Sequence, residues 1–170
     1  AAGYRTFYTG KWHLGLADAG LKEYGRDEYV GDIGGDQVGE AVRTKPRDPV
    51  ESLKNRRDST ARFTQASLDF IGRQGRSEPF LLMLSYHDPH TPIQPMPGQV
   101  ERFRAKRATL GDAPAPIAEH DGKTRARQDD ADYASMISAV DDSLGQIRAK
   151  LAAVGLAENT IVIFTSDNGG

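Results

Sequence analysis

The chain has 170 residues, enough to bury the core of one domain, and its 38% hydrophobic and 27% charged residues are typical of a globular protein. A net charge of −2 gives no sign of nucleic-acid or anionic-membrane binding, and no apolar run reaches the roughly 20 residues that span a bilayer. The sequence contains no cysteine, which excludes disulfides, thiolate metal sites and a cysteine nucleophile within this stretch.

The first part of the chain predicts one strand and one helix. The strand runs from Tyr4 to Thr9 and is followed by a glycine-bounded loop. Residues 17–57 carry many glycines and charges, which indicates mostly loop. A helix is predicted from Asp58, with Asp58 or Ser59 as its cap. Its apolar positions, spaced by three or four residues, are Phe63, Ala66, Phe70 and Ile71, and Gly72 and Gly75 end it.

A continuously apolar segment, Phe80–Ser85, predicts a second strand that helices cover on both faces. Residues 86–97 are rich in histidine and proline and predict the loop that follows it. Residues 98–128 have weak periodicity, several prolines and many charges. We therefore expect a surface excursion there.

The clearest helix lies in the last third of the chain, with Asp129 or Asp130 as its cap and Gly155 as its end. Its apolar stripe, at spacings of four and three, consists of Tyr133, Ile137, Val140, Leu144, Ile147 and Leu151. The β-branched run within Ile161–Thr165 then predicts a buried strand. Since helix followed by buried strand occurs twice, the pattern favours an α/β sandwich with a largely parallel sheet.

Polar residues cluster in three places, each directly after a predicted strand, and ligands of parallel sheets bind outside the carboxyl ends of the strands. The first cluster is Lys11-Trp12-His13, in which a cation and an imidazole two residues apart can face one anionic ligand. The alternative is a surface lysine beside a packed Trp-His pair.

The second cluster is His87-Asp88-Pro89-His90-Thr91-Pro92, whose prolines restrict the backbone. Either histidine can serve a metal or a leaving group, and the alternative is a stiffened turn whose histidines cap backbone groups.

The third cluster contains Asp167 and Asn168, followed by two glycines. Carboxylate and amide oxygens suit Ca²⁺ or Mg²⁺, although an Asp-Asn-Gly tract is also an ordinary turn.

Together, the three clusters closely resemble the sulfatase family of the alkaline-phosphatase-like superfamily. Residues 3–15 look like the family's second signature, and residues 79–92 look like the strand and loop that supply an active-site histidine. Residues 133–170 look like the helix, strand and metal loop of the same fold. The resemblance implies a three-layer α/β sandwich with a largely parallel sheet, alkaline-phosphatase-like and incomplete at both ends.

By position, the resemblance implies that Lys11 binds a sulfate oxygen and that His13 supports the catalytic nucleophile. It implies that His90 contacts the sulfate and assists the departure of the leaving alcohol. His87 and Asp88 match no required position and are interpreted as loop residues. The implied substrate is a small-molecule or glycan sulfate ester, and the implied location is the periplasm or the outside of the cell.

The same resemblance makes Asp167 and Asn168 two ligands of one calcium ion. The family's nucleophile is a formylglycine made within a Cys/Ser-x-Pro-x-Arg motif, which residues 1–170 do not contain. The family's remaining metal carboxylates and a further sulfate-binding lysine would also fall outside this stretch. We therefore expect residues 1–170 to be part of a single sulfatase catalytic domain, without its nucleophile segment and C-terminal part, and to be inactive alone.

Two alternatives stay open on the sequence. One is a phosphodiesterase or phosphonate monoester hydrolase of the same superfamily, against which Lys11-Trp12-His13 beside Pro89-His90 favours a sulfatase. The other is a non-catalytic anion-binding protein. A Cys/Ser-x-Pro-x-Arg motif upstream of Ala1 would favour an enzyme, and its absence would favour a binding protein.

Overall fold

A computed structural model of the chain describes residues 3–12, 28–33, 58–75, 77–120 and 122–167. Within these ranges, parallel strands form a small sheet and two long helices pack on it. None of the described helices is long and apolar enough to cross a membrane. In chain order the elements are β1 Arg5–Trp12, β2 Glu28–Ile33, α1 Ser59–Gly72, β3 Phe80–Ser85, α2 Val100–Ala108, β4 Ile117–Glu119, β5 Gly122–Thr124, α3 Ala131–Ala153 and a 3₁₀ helix Ala157–Asn159.

The sheet has the order β2-β1-β3, and β1 pairs in parallel with both neighbours. In this register Phe7 lies opposite Leu82 and Gly10 lies opposite Ser85. Because parallel strands point the same way, their carboxyl ends meet at one edge of the sheet. The α/β class and the parallel sheet predicted from the sequence are therefore confirmed.

The core lies between the sheet and the two helices α1 and α3. The ring of Phe7 stacks on that of Phe70 with centroids 4.7 Å apart, and Phe80 meets Phe70 edge-on at 5.8 Å. Ile147 and Leu151 of α3 complete the buried cluster. Since burying one such side chain stabilises the fold by about 1.5–3 kcal/mol, this cluster holds both helices on one face of the sheet.

The predicted ends of α3 are confirmed. The Asp130 carboxylate accepts hydrogen bonds from the backbone N–H groups of Asp132 and Tyr133, at 3.0 and 3.1 Å. Gly155 follows the helix with a φ of +72°, a conformation that glycine adopts without strain. At α1, Asp58 occupies the predicted N-cap position, but its side chain forms no capping hydrogen bond.

The predicted apolar stripe of α3 is correct at Val140, Ile147 and Leu151, which are buried, but wrong at Ile137, which is 43% exposed. The helix is turned so that Met136 faces inward instead. Small hydroxyl side chains share that buried face, which an apolar pattern does not reveal. They are Ser135, Ser138 and Ser143.

Two expectations about strand burial are wrong in the described structure. In β3, Leu81 and Met83 are 48% and 45% exposed, because α1 and α3 cover only the other face of the sheet. Ile161–Thr165 has no regular secondary structure and belongs to no sheet of the described residues, and Ile161 and Ile163 are 89% and 82% exposed. A strand needs a neighbour to satisfy its backbone groups, and the described residues provide none for this segment.

Regular elements also occur in the two segments predicted as mostly loop and as a surface excursion. β2 lies within residues 17–57, while residues 17–27 and 34–57 of that prediction lie outside the described residues. Residues 98–128 include α2 and the β4–β5 hairpin. The helix α2 packs on α3 through the buried Val100 and through the Arg102 guanidinium, which donates to the Ser138 hydroxyl. These contacts join residues that are far apart in the sequence, so the weak apolar periodicity of residues 98–128 did not predict the helix.

A cluster of charges ties the end of this segment to α2. The Asp129 side chain is 2% exposed and accepts from Arg107 and Arg127 at 3.0 Å each and from Arg125 at 3.4 Å. Burial alone would raise the pKa of Asp129. The hydrogen bond from Arg127 and the charges of Arg107, Arg127 and Arg125 outweigh that effect and lower the pKa below its ordinary value of 3.8.

We predict that Asp129→Asn destabilises the protein at pH 7, because three guanidinium groups lose their shared counter-ion. A carboxyl with a lowered folded pKa contributes stability above its unfolded pKa and loses it as the pH falls through the folded pKa. The difference in unfolding midpoint between wild type and variant should therefore be largest near neutral pH and shrink below about pH 4. Asp141→Asn, at an exposed position of α3, is the control. A difference that stays constant from pH 7 to pH 3 would contradict this role of Asp129.

Candidate functional site

Lys11 lies at the carboxyl end of β1, the central strand of the described sheet. Its backbone stands opposite Asp32 of β2, one residue beyond the Gly10–Ser85 pair. The Tyr8 hydroxyl donates to the Lys11 carbonyl oxygen, and the lysine residue is half-buried. The sheet and this hydrogen bond together fix the backbone from which the ammonium group extends.

The strand end at Lys11 depends on a glycine. Gly10 has a φ of +125°, and a Cβ at this position would lie 2.0 Å from the carbonyl oxygen of Ser85. Only glycine fits, because both the conformation and the space exclude a side chain. The close approach brings the end of β1 against the last residue of β3. The strand predicted to end at Thr9 instead continues through Lys11 and Trp12 beside β2, so Lys11 lies in β1 and not in a loop. The loop after Ser85 begins at the level of Lys11.

His90 lies in the loop after β3, and its side chain is exposed. Its backbone N–H donates to the carbonyl oxygen of His87 at 2.9 Å, which closes a turn. Its ring Nδ1 lies 2.7 Å from the carbonyl oxygen of Thr91. Because a carbonyl only accepts, Nδ1 carries the proton. Nε2 is then an acceptor in the neutral ring and a second donor in the imidazolium, so it is the nitrogen that can exchange a proton with a ligand.

A chain of hydroxyl groups anchors the start of this loop. Tyr86 OH lies 2.7 Å from Ser143 Oγ of α3, and Ser143 Oγ lies 2.5 Å from Thr64 Oγ1 of α1. Burial raises the pKa of Tyr86 above its usual 10.0, and the hydrogen bond with Ser143 only partly opposes that shift. The phenol therefore stays protonated at neutral pH, and the loop is joined to both helices.

The next two loop residues contact the same face of α1. The His87 ring packs on Phe63 with centroids 6.2 Å apart and planes inclined by 26°. The Thr60 hydroxyl donates to Asp88 Oδ2 at 2.5 Å. Because helix positions three apart share one face, Thr60 and Phe63 form a single docking surface for the loop.

The structure brings two of the predicted site residues, Lys11 and His90, to the same edge of the sheet. His13 and Asn168 lie outside the described residues. Asp167 is described and exposed, but no hydrogen bond or ion pair among the described residues joins it to Lys11 or His90. That all five predicted site residues meet at this edge therefore stays a prediction. They are Lys11, His13, His90, Asp167 and Asn168.

The described residues do not complete a metal site. No three histidine or acidic side chains among them lie close enough together to hold an ion. The Asp167 carboxylate has the right chemistry for a hard divalent cation, but calcium takes 6–8 oxygen ligands. Of the two predicted calcium ligands, Asp167 belongs to the described part of the chain and Asn168 does not.

The sequence analysis missed the residues that hold the loop, which are Thr60, Thr64, Asp88 and Ser143. Hydroxyl residues four apart on the inner face of a predicted helix were the available signal, since a buried hydroxyl needs a partner. That signal does not say which distant residue is the partner.

Comparison with known proteins now gives the family. The Sulfatase family model matches residues 1–170, the whole chain. The chain belongs to the sulfatase family. The resemblance seen in the sequence is thereby confirmed.

Curated relatives of this sulfatase chain are similar along nearly its full length. N-acetylgalactosamine-6-sulfatase of Mus musculus is 31% identical over 99% of the chain, which spans 31% of that protein. Arylsulfatase of Klebsiella aerogenes is 25% identical over 99% of the chain, which spans 45% of that protein. The sulfatase chain thus covers less than half the length of these two relatives.

A solved structure supports the fold of the sulfatase chain. The crystal structure of Ps i-CgsB in complex with k-i-k-neocarrahexaose superposes with a TM-score of 0.55 and 21% sequence identity. The match covers 91% of this chain and 35% of that protein. At this identity the likeness concerns the fold alone.

We predict that Gly10→Ala lowers the free energy of unfolding of the full-length sulfatase by at least about 1–3 kcal/mol, the cost of one strained backbone position. The new methyl group would collide with the Ser85 carbonyl and force β1 away from β3. Gly145→Ala is the matched control, because a Cβ there meets nothing within 4 Å and alanine favours the helix. Urea denaturation measures both. Equal stability of the two variants would show that the close approach is absent.

Proposed function

We propose that the full-length protein hydrolyses sulfate esters and that this chain contributes part of the sulfate site. Family membership and the sulfatase names of its relatives support the reaction class. The structural observation that carries the proposal is the shared edge of Lys11 and His90, maintained by the β1–β3 register. A cation and an imidazole that follow neighbouring parallel strands suit an anionic ester, and the alternative of a purely anion-binding protein finds no similar support.

The proposed roles follow the demands of the reaction. A sulfate ester carries one negative charge, and cleavage of its S–O bond places charge on the leaving oxygen. Catalysis therefore needs fixed positive charge near the sulfuryl oxygens and a proton for the leaving group. We assign Lys11 to a sulfuryl oxygen, His90 to the sulfate and the leaving oxygen through Nε2, and His13 to support of the nucleophile.

A divalent metal fits the reaction class, and we propose calcium held partly by Asp167 and Asn168. When bound, the ion would supply positive charge to the sulfuryl oxygens. Its remaining ligands, and the formylglycine nucleophile, would come from parts of the full-length protein outside residues 1–170. The chain would then be part of one catalytic domain and inactive by itself.

The same proposal includes the full three-layer sandwich. Leu81 and Met83 leave one face of β3 exposed, opposite the face that α1 and α3 cover. An apolar sheet face is normally covered, so a third layer formed by other parts of the full-length protein would complete the fold.

One comparison bears on the phosphoester alternative. A multifunctional alkaline phosphatase superfamily protein of Trinickia caryophylli is 31% identical over 71% of the chain. Assays of the full-length protein should therefore compare an aryl sulfate with an aryl phosphodiester and a phosphonate monoester. Our proposal expects the highest kcat/KM for the sulfate. Preference for a phosphorus ester would replace it with the alternative.

We predict that His90→Ala lowers kcat about 10²–10⁴-fold for alkyl sulfates and much less for activated aryl sulfates, because general acid help matters only when the leaving group is poor. Steady-state kinetics of the full-length protein on both substrate types measures the difference. His120→Asn, at an exposed histidine with a φ of +45°, is the control and should leave both rates unchanged. Equal losses on the two substrates would leave His90 as a binding residue only.

A further inference from the structure

We propose that Thr60 and Asp88 form a positioning pair that sets the place of His90 in the site. The inference rests on the proposed function, in which His90 meets the sulfate ester. Neither residue was expected to matter, since Asp88 was interpreted as a loop residue. Their hydrogen bond, from Thr60 Oγ1 to Asp88 Oδ2 at 2.5 Å, ties the loop to the first turn of α1 two residues before His90.

The helix end of this bond is rigid. Thr60 is 3% exposed, and the same helix carries Phe70 and Ile71, both fully buried in the core. Its neighbour Thr64 is fixed by a hydrogen bond to the Thr60 carbonyl oxygen at 2.6 Å and by the contact with Ser143. A group that accepts a hydrogen bond from Thr60 is therefore held relative to the core of the sheet.

On the loop side, Asp88 is close enough in sequence to restrain the position of His90. Asp88 is followed by Pro89, whose ring restricts φ, and then by His90 itself. The turn closes when the His90 N–H donates to the His87 carbonyl, and the His87 ring already packs on Phe63. The backbone on both sides of Asp88 is thus anchored, so the imidazole has little freedom to shift as a whole.

The carboxylate makes this tether stronger than a neutral acceptor would. Hydrogen bonds to an ionised group are roughly twice as strong as neutral ones. Tyr86 holds the loop separately, through Ser143. Loss of the Thr60–Asp88 bond should therefore loosen the His90 side of the loop while its other end stays attached, and the fold should persist.

The pair acts through His90 rather than on the ester, so its loss should change catalysis more than substrate binding. A displacement of about 1 Å at a catalytic group can cost about 10²-fold in rate. We expect Thr60→Val and Asp88→Ala to lower kcat on an alkyl sulfate by roughly 10- to 100-fold, with a smaller effect on KM. An activated aryl sulfate should be less affected, as for His90 itself.

The kinetic test uses the full-length protein with matched variants. Thr60→Ser keeps the hydroxyl and should restore most of the activity, and Asp88→Asn keeps an acceptor and should be intermediate. The double variant with Thr60→Val and Asp88→Ala should be slowed by less than the product of the two single effects, because both substitutions remove the Thr60–Asp88 bond. Ser67→Ala removes a buried hydroxyl from the same helix that donates to the Phe63 carbonyl and, within the described ranges, has no hydrogen bond to the loop, so it should have wild-type kinetics. Wild-type kinetics for Thr60→Val and Asp88→Ala would overturn the inference.

A second measurement does not depend on turnover. The amide of His90 should exchange its hydrogen faster in Thr60→Val and Asp88→Ala than in wild type, whereas Ser67→Ala should leave the rate unchanged. Unchanged exchange in the two loop variants would overturn the positioning role, whatever the protein hydrolyses. Absence of sulfate ester hydrolysis by the wild-type protein would instead remove the proposed function, and the exchange rates would still decide the role of the pair.

Discussion

The parallel pairing of β1 with β3 is the constraint on which the candidate site depends. At its end, Gly10 approaches the Ser85 carbonyl so closely that no side chain fits between them. Phe7 on the same strand stacks on Phe70, which locks the sheet to α1. Because the two strands run parallel, the end of β1 that carries Lys11 and the loop that carries His90 emerge at one edge although they lie far apart in the sequence.

A second constraint is the polar seam between α1, α3 and the loop. Hydroxyl groups of Thr64, Ser143 and Tyr86 contact one another there, and Thr60 bonds Asp88. Each such bond contributes about 0.5–1.5 kcal/mol, but a buried partner left unsatisfied costs about 1–3 kcal/mol. The seam therefore penalises other loop arrangements more than it stabilises this one. A helix face that looks unremarkable in composition thus determines where a proposed catalytic histidine sits.

Local sequence signals predicted the main elements well. The Asp130 cap, the Gly155 end and the apolar positions of α3 are local, and the apolar run of β3 is continuous, so both elements appear where they were expected. The strand β2 and the helix α2 were missed because glycines and charges obscure their periodicity, and tertiary contacts form them. The run Ile161–Thr165 shows the opposite failure, since β-propensity does not supply a neighbouring strand.

The candidate site was also predictable only in part. Lys11 and His90 stood out as polar residues directly after predicted strands, and the topology of parallel sheets indicates a common edge. Thr60 and Asp88 did not stand out, because their pairing joins a helix to a distant loop. Hydrogen bonds between side chains far apart in sequence leave no periodic pattern. Sequence therefore indicated the groups proposed to meet the ligand, while the structure was needed to find the contacts that hold the His90 loop.

The central claim is that Lys11 and His90 act on one anion at the edge of the sheet where the strands have their carboxyl ends. The proposed metal ligands Asp167 and Asn168 would lie near them. A crystal structure of the full-length protein with bound sulfate tests it most directly. The account predicts one sulfate in contact with Lys11 Nζ and His90 Nε2, and the Asp167 carboxylate within about 15 Å of the Lys11 ammonium, the span of a single small-anion site and its ion. A sulfate that contacts neither residue, or a longer distance to Asp167, would contradict it.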